Sequence, residues 1–93
     1  MTERVGPVVL ASEVGRAVVA VIREQNRDVE IQDRGSYLRV LARGRCGVTR
    51  QAVEQALGRP FKLPCDLELI MPSFTGSFSV TEDQASWTFE RRA

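Results

Sequence analysis

The sequence predicts a small α+β domain with a mainly antiparallel sheet, in the order β-α-β-β-α-β-β-β. Three observations predict it. Two stretches repeat apolar residues at helical spacing between recognisable stop signals, five short stretches alternate apolar with polar residues, and one more is apolar and β-branched. Tight turn signals join consecutive alternating stretches into hairpins. Finally, 93 residues support one core and not two, so residues 1–93 form a single domain. The two β-α-β-β segments suggest loosely ferredoxin-like duplicated halves, with no residue-level repeat behind them.

Residues 5–10 are apolar and β-branched. Gly6-Pro7 inside them suits an edge strand or its first positions, because proline cannot donate to a ladder. Ser12 reads as a helix N-cap, followed by Val14, Ala17, Val18, Val21 and Ile22 at i, i+3, i+4, i+7 and i+8. Arg16, Arg23 and Glu24 fall on the opposite face, and the helix should end near Asn26. Valine is a modest helix former, so packing must hold this helix. Val29 and Ile31 alternate with Asp28, Glu30 and Gln32, Asp33-Arg34-Gly35-Ser36 turns the chain, and residues 37–42 return. Leu38 and Val40 lie on one face of that hairpin, Tyr37, Arg39 and Leu41 on the other. Arg43-Gly44-Arg45-Cys46-Gly47 reads as a loop.

Thr49 then reads as an N-cap, with Val48 and Val53 placed as a hydrophobic staple. Ala52, Val53, Ala56 and Leu57 make the apolar stripe. Gly58 ends the helix, Pro60 bars its continuation, and Phe61 enters the core. Residues 66–71 alternate Leu67, Leu69 and Met71 against Glu68 and Ile70, as a strand would. Pro72 should end or bulge that strand. Residues 75–80 and 85–90 are read as the last two strands, with Phe78, Trp87 and Phe89 as core aromatics.

The same residues exclude most chemistry. There is no histidine, which removes the commonest general base and metal ligand together. Cys46 and Cys65 stand far apart without a Cys-x-x-Cys, which points to two reduced thiols in a cytoplasmic protein rather than a zinc site or a disulfide scaffold. Asp66 and Glu68, at strand spacing, would share one side, and Glu82-Asp83 sit in a turn. Acid–base work would need one of these carboxyls buried, and a solvated surface explains them better. Phosphate-binding glycine motifs are missing. Nucleic-acid binding is not expected: net charge is +1, and Tyr37 alone offers a stacking surface in the stretch 34–41. No segment approaches 18 uninterrupted apolar residues, so no membrane span is expected. Charge is unevenly distributed. Residues 34–62 hold seven basic residues against Glu54 alone, and 64–90 hold five acids and no base. That asymmetry suits a protein that meets a partner of complementary potential, unless the blocks mix on the folded surface.

Leu57-Gly58-Arg59-Pro60-Phe61, then Asp66-Leu67-Glu68-Leu69, then Ser73-Phe74-Thr75-Gly76 follow in an order and spacing that resemble one family. This is the effector (regulatory or coupling) proteins of bacterial multicomponent diiron monooxygenases. Val5-Gly6-Pro7-Val8-Val9, Glu30-Ile31-Gln32-Asp33-Arg34 and Tyr37-Leu38-Arg39-Val40 look most like its toluene or alkene monooxygenase branch, and the resemblance covers roughly residues 5–89. It implies a protein with no catalytic residue, no cofactor and no metal, monomeric when free. Its implied partner is a diiron hydroxylase, linked functionally to a Rieske ferredoxin and a reductase. It implies that binding reshapes the hydroxylase active site and couples electron transfer and O2 activation to oxidation of an aromatic or alkene substrate. The sequence departs from the pattern at Ile70, where many members carry asparagine, at an apparent insertion around Lys62-Leu63-Pro64-Cys65, and at Pro72. Docking through a long N-terminal tail, as in the methane-type members, is not expected to carry over from the resemblance.

The resemblance places hydroxylase contacts first on Ile70, Pro72, Ser73, Phe74, Thr75 and Gly76. Phe74 reads as an aromatic anchor or as core, and Gly76 as a point of close approach or a bulge. Tyr37 and Arg39 come second, as residue types enriched at interface hot spots, Tyr37 being alternatively a half-buried sheet residue. Arg43 and Arg45 come third, as rim charges that steer association. The alternative is a ferredoxin-like ligand-binding regulatory or protein-interaction module, which a ligand would stabilise against heat.

Overall fold

The computed structural model describes residues 3–89. Their elements run β1 (Arg4–Leu10), α1 (Glu13–Gln25), β2 (Val29–Asp33), β3 (Tyr37–Arg43), β4 (Arg45–Thr49), α2 (Arg50–Leu57), α3 (Cys65–Ile70), β5 (Ser73–Thr75), β6 (Ser77–Val80) and β7 (Gln84–Thr88). Glu90, expected at the end of the last strand, lies outside the described residues. All strand pairs are antiparallel, and they form two sheets of order β2-β3-β1-β5 and β4-β7-β6. The α+β class stands. The two halves, however, do not each build half of one sheet: β5 joins the first sheet and β6 the second.

Helix α1 follows its local signals. The Ser12 hydroxyl accepts from the Gly15 N–H at 3.1 Å, and Asn26 caps the far end by donating its own N–H to the Ile22 carbonyl at 3.0 Å. Val18, Val19, Val21 and Ile22 are buried. Each valine loses roughly 0.5 kcal/mol of intrinsic helix propensity. Burying each of these side chains contributes about 1.5–3 kcal/mol. Packing therefore decides the element. Helix α2 ends as expected at Gly58, whose φ of 73° is left-handed and whose N–H reaches the Glu54 carbonyl at 2.8 Å. Thr49 stands at the N-cap, but its hydroxyl makes no capping bond; it accepts from Gln25 Nε2 at 2.9 Å instead. Ala56, expected in the apolar stripe, is exposed.

Four expectations change. Residues 43–47 do not form a loop, because β4 starts at Arg45 and pairs along its length with β7, burying Cys46 and Val48. Residues 66–71 do not form a strand. Leu67, Ile70 and Met71 fall at i, i+3 and i+4, and α3 buries Leu67 while Leu69 is 78% exposed. Asp66 stabilises its first turn: Oδ2 accepts from the Lys62 N–H at 2.8 Å, next to the partial positive charge of the helix start. Pro72 consequently ends no strand and sits in the connection from α3 to β5. Lastly, β1 is not an edge strand. It lies between β3 and β5, and the ladder to β3 simply skips Gly6 and Pro7, which is how a central strand accommodates a missing N–H.

The core fills the space between the inner faces of the two sheets and α1. Val5, Val9, Leu38, Val40 and Ala42 come from the first sheet, and Cys46, Val48, Ala85 and Trp87 from the second; Phe61 and Leu67 close one end. The chain crosses from one sheet to the other at Gly76. Its φ is 103°, and a Cβ there would sit 2.7 Å from Val5 Cγ1 and 2.8 Å from the Thr88 carbonyl oxygen.

Candidate functional site: the outer face of the four-stranded sheet

The inner face of β2-β3-β1-β5 is core. Its outer face follows from the pairing register, since directly opposed residues of antiparallel strands share a side. Leu10 stands opposite Tyr37. The next row reads Gln32, Arg39, Val8, Ser73 across all four strands. Thr75 lies two residues on from Ser73 on the same side, and Leu41 two residues from Arg39 opposite Glu30. Tyr37 and Leu10 are 39% and 43% exposed, and Val8, Arg39 and Leu41 are half-buried. The centre of this face is thus an apolar cross-strand cluster with a guanidinium set into it.

Its electrostatics differ from side to side. On the β2 side the polar groups hold one another. Arg34 Nη2 donates to Gln32 Oε1 at 3.0 Å, Gln32 Nε2 donates to Glu30 Oε2 at 3.0 Å, and Arg4 approaches Glu30 at 3.6 Å. Arg39 and Arg43 have no ion-pair partner among the described residues. Arg43 moreover faces Arg4 directly across the ladder, a like-charge pair that an incoming acid would relieve.

Of the ten predicted interface residues, the structure brings five onto this face: Tyr37, Arg39, Arg43, Ser73 and Thr75. Phe74 points the other way, being opposite Pro7 on β1. It is not core. It remains 43% exposed while its ring stacks 5.4 Å from Phe78, which in turn stacks 5.4 Å from the buried Trp87. Gly76 is the crossing point between sheets, and Pro72 is exposed in the connection before β5. Ile70 is half-buried on α3. Arg45 belongs to the second sheet, where its guanidinium lies over Gly47; a Cβ at Gly47 would be 2.9 Å from it. Phe89, expected in the core, is 42% exposed. Sequence reasoning misses Val8 and Leu10 as members of the face, because no local signal places them there. Hairpin alternation puts Leu41 beside Tyr37 and Arg39 but does not mark it as a contact.

Among the described residues, no group of three or more metal-ligating side chains occurs. Asp66 and Glu68 sit at i and i+2 of a helix, so they do not share a side as strand spacing suggests. The Cys46 thiol is buried, and that burial pushes its pKa up to about 12 against a smaller lowering by Arg45, which makes it inert. The Glu54 carboxyl is held below its ordinary value, first by the Phe61 N–H that donates to it at 2.9 Å and then by Arg50, against partial burial. Its role is to brace the structure. Arg50 reaches from Glu54 to the Glu82 carbonyl oxygen and ties α2 to the β6–β7 turn. No helix of the described residues is long and apolar enough to cross a membrane.

Comparison with known proteins gives these features a family context. Residues 3–88 match the MmoB/DmpM family. The chain is 35% identical over 88 residues to the effector subunit of the alkene monooxygenase system of Xanthobacter autotrophicus, covering 92% of this chain and 86% of that protein. Its fold is similar to that of a chain in a phenol hydroxylase–regulatory protein complex, with a TM-score of 0.82 at 21% identity over 94% of this chain and 98% of the other. It is also similar to regulatory protein B of soluble methane monooxygenase, with a TM-score of 0.70 at 20% identity over 94% of this chain and 65% of that one.

Proposed function

Because the chain belongs to the MmoB/DmpM family, we propose that it is the effector subunit of a multicomponent monooxygenase and docks on the diiron hydroxylase through the outer face of its four-stranded sheet. It contributes no reacting group. Its effect on turnover comes from binding one conformation of the hydroxylase better than another, and the shift it produces is bounded by that difference in affinity. To carry the hydroxylase from about 1% to 99% competent requires about a 10⁴-fold preference. That demands a specific, well-packed contact. In the fuller form of this reading the shift reshapes the active site, and delivery of electrons from a Rieske ferredoxin and its reductase is coupled to O2 activation and oxidation of an aromatic or alkene substrate.

The observation that carries the docking face is the Leu10–Tyr37 pair beside Arg39, with Arg43 at the far end of the same face: apolar area, an aromatic and guanidinium groups without an ion-pair partner among the described residues. Buried aromatic and arginine anchors dominate protein–protein affinity, and rim charges chiefly set the association rate. Ser73 and Thr75 extend the face to its β5 edge without adding bulk, which leaves room for close approach of a partner.

The test is a turnover titration with hydroxylase, electron donor and reductase held fixed while this protein is added, following product and reductant consumption together. A rise in product per reductant that saturates near one effector per active site supports the reading. Arg39→Glu or Tyr37→Ala should raise the half-saturating concentration about 30-fold, the effect of losing a 2 kcal/mol hot spot. A flat response to correctly folded wild-type protein refutes the effector role. A wild-type response that neither substitution alters refutes this face.

A further inference from the structure

Helix α3 presents a surface that the sheet face does not account for. It buries Leu67 on one side, and on the other it exposes Cys65, Glu68 and Leu69, which share a side at i, i+3 and i+4. Leu69, at 78% exposed, is the most exposed large apolar side chain of the described residues. It overhangs an apolar groove of ≈170 Å³ that also includes Val14, Leu57 and Ile70. An apolar side chain projecting beside an apolar groove is the shape of a contact that awaits a partner.

The groove continues the sheet face by two routes. A Cβ added to Gly15 would fall 1.8 Å from the Leu10 carbonyl oxygen, so the first turn of α1 rests on the end of β1, and Val14 on that turn lines the groove. From the other side Ile70 leads through Met71 and Pro72 to Ser73, which lies opposite Val8 in the outer-face row. The groove lined by Val14, Ile70 and Leu69 thus lies next to the end of β1 that carries Leu10 opposite Tyr37. Charge differs between the two. Beside the Leu10–Tyr37 pair the sheet carries Arg39, whereas Arg43 lies at the far end of β3. At the α3 end Arg59 is held by Glu13 at 3.1 Å, while Asp66 and Glu68 have no ion-pair partner among the described residues.

Resting on the effector reading above, we infer that the exposed side of α3 is a second contact with the same hydroxylase, Leu69 entering an apolar socket whose rim is basic. The two contacts are of opposite charge, so together they fix the orientation in which the effector lands: acidic partner groups meet Arg39, and basic ones meet Glu68. A single basic face would bind without setting a direction.

Cys65 supplies a probe in the native protein. It is exposed four residues before Leu69 on the same side of α3, and buried Cys46 serves as the internal reference. Alkylation by N-ethylmaleimide would be followed by mass spectrometry on the effector's own Cys65 peptide, with and without hydroxylase at a concentration that saturates turnover. The expected result is a fall in the Cys65 rate of about tenfold with nine-tenths of the effector bound. In parallel, Leu69→Glu and Glu68→Lys, both at exposed positions that leave the fold intact by circular dichroism, should raise the half-saturating concentration in the turnover titration about tenfold. If wild-type protein stimulates turnover while Cys65 stays unprotected and both variants titrate like wild type, the α3 contact is refuted and the sheet-face reading stands. If wild-type protein does not stimulate turnover, the effector reading falls and this contact with it. Protection that grows with effector concentration in the absence of hydroxylase assigns the groove to a second copy of this chain and overturns the inference.

Discussion

The two sheets are built from the same kinds of residue and put to opposite use. In β4-β7-β6 the row Cys46, Trp87, Phe78 faces the core, and Trp87 is fully buried. The edge of β4 is closed by side chains from the end of α1. Asn26 accepts from the Gly47 N–H at 3.0 Å and donates to its carbonyl at 2.7 Å, and Gln25 accepts from the Thr49 N–H at 3.1 Å. These amides satisfy backbone groups that would otherwise offer a template for another strand. In β2-β3-β1-β5 one face is equally buried, but the other is left with Leu10, Tyr37, Val8 and Arg39 in view. With the proposed docking face, stability would be concentrated where the sheet is sealed and recognition where it is open. Substitutions in the two places should therefore separate into those that unfold and those that uncouple.

The largest effect should come from the sealed sheet. The Trp87 indole N–H has no acceptor among the described residues, so packing alone holds the side chain. Trp87→Ala should lose about 3–5 kcal/mol in denaturant unfolding. Leu10→Ser, on the open face, should lose less than about 1 kcal/mol, the worth of a cross-strand pair, while weakening hydroxylase stimulation. Equal destabilisation by the two would break the comparison.

Asn26→Ala tests the seal itself. It removes three side-chain hydrogen bonds, to Ile22 and to both backbone groups of Gly47, and leaves the latter without a partner in a half-buried site. The expected loss is about 1–3 kcal/mol, accompanied by faster hydrogen exchange at Gly47 than at the centre of β3. Unchanged exchange at Gly47 would mean that water replaces the amide without penalty.

What the sequence makes legible follows the range of the interactions involved. Helix α1 is readable because Ser12, the valine spacing and Asn26 all act within a few residues of one another. The β2–β3 hairpin is readable from alternation, and alternation alone is enough to put Tyr37 and Arg39 on the face opposite Leu38 and Val40. Helix α3 is not readable in this way. Leu67, Leu69 and Met71 fit a strand, Leu67, Ile70 and Met71 fit a helix, and six residues are too few for periodicity to decide. The bond from the Lys62 N–H to Asp66 that favours the helix leaves no mark on the pattern. Strand β4 is hidden by Gly47, which looks like loop punctuation and is in fact the close-approach point for Asn26, 21 positions away. Leu10 joins the site only because β1 pairs with β3, a contact between distant parts of the chain. Half of the predicted interface lies on one face for this reason: the hairpin residues are local, and the rest depend on where the chain crosses between sheets.

The smallest predicted effect sharpens the comparison through pH. Glu54 braces the sealed side, receiving the Phe61 N–H at 2.9 Å and Arg50 Nη1 at 2.9 Å. Its carboxyl is held below the usual range by the Phe61 N–H first and Arg50 second. A carboxyl whose pKa is lower folded than unfolded contributes stability that is fully present above the unfolded value, about 4.3, and that is lost as pH falls through the folded value. Glu54→Gln keeps the shape and an acceptor for Phe61 but removes the charge. The variant should melt below wild type at pH 7, and the gap should close as the pH drops below about 4. A gap that persists at low pH would mean that shape, not charge, makes the brace. Because Arg50 spans α2 and the β6–β7 turn and touches nothing on the open face, the same substitution should leave the half-saturating effector concentration where it was. A change there would show that the sealed side also tunes recognition and that the two sheets are less separate than their faces suggest.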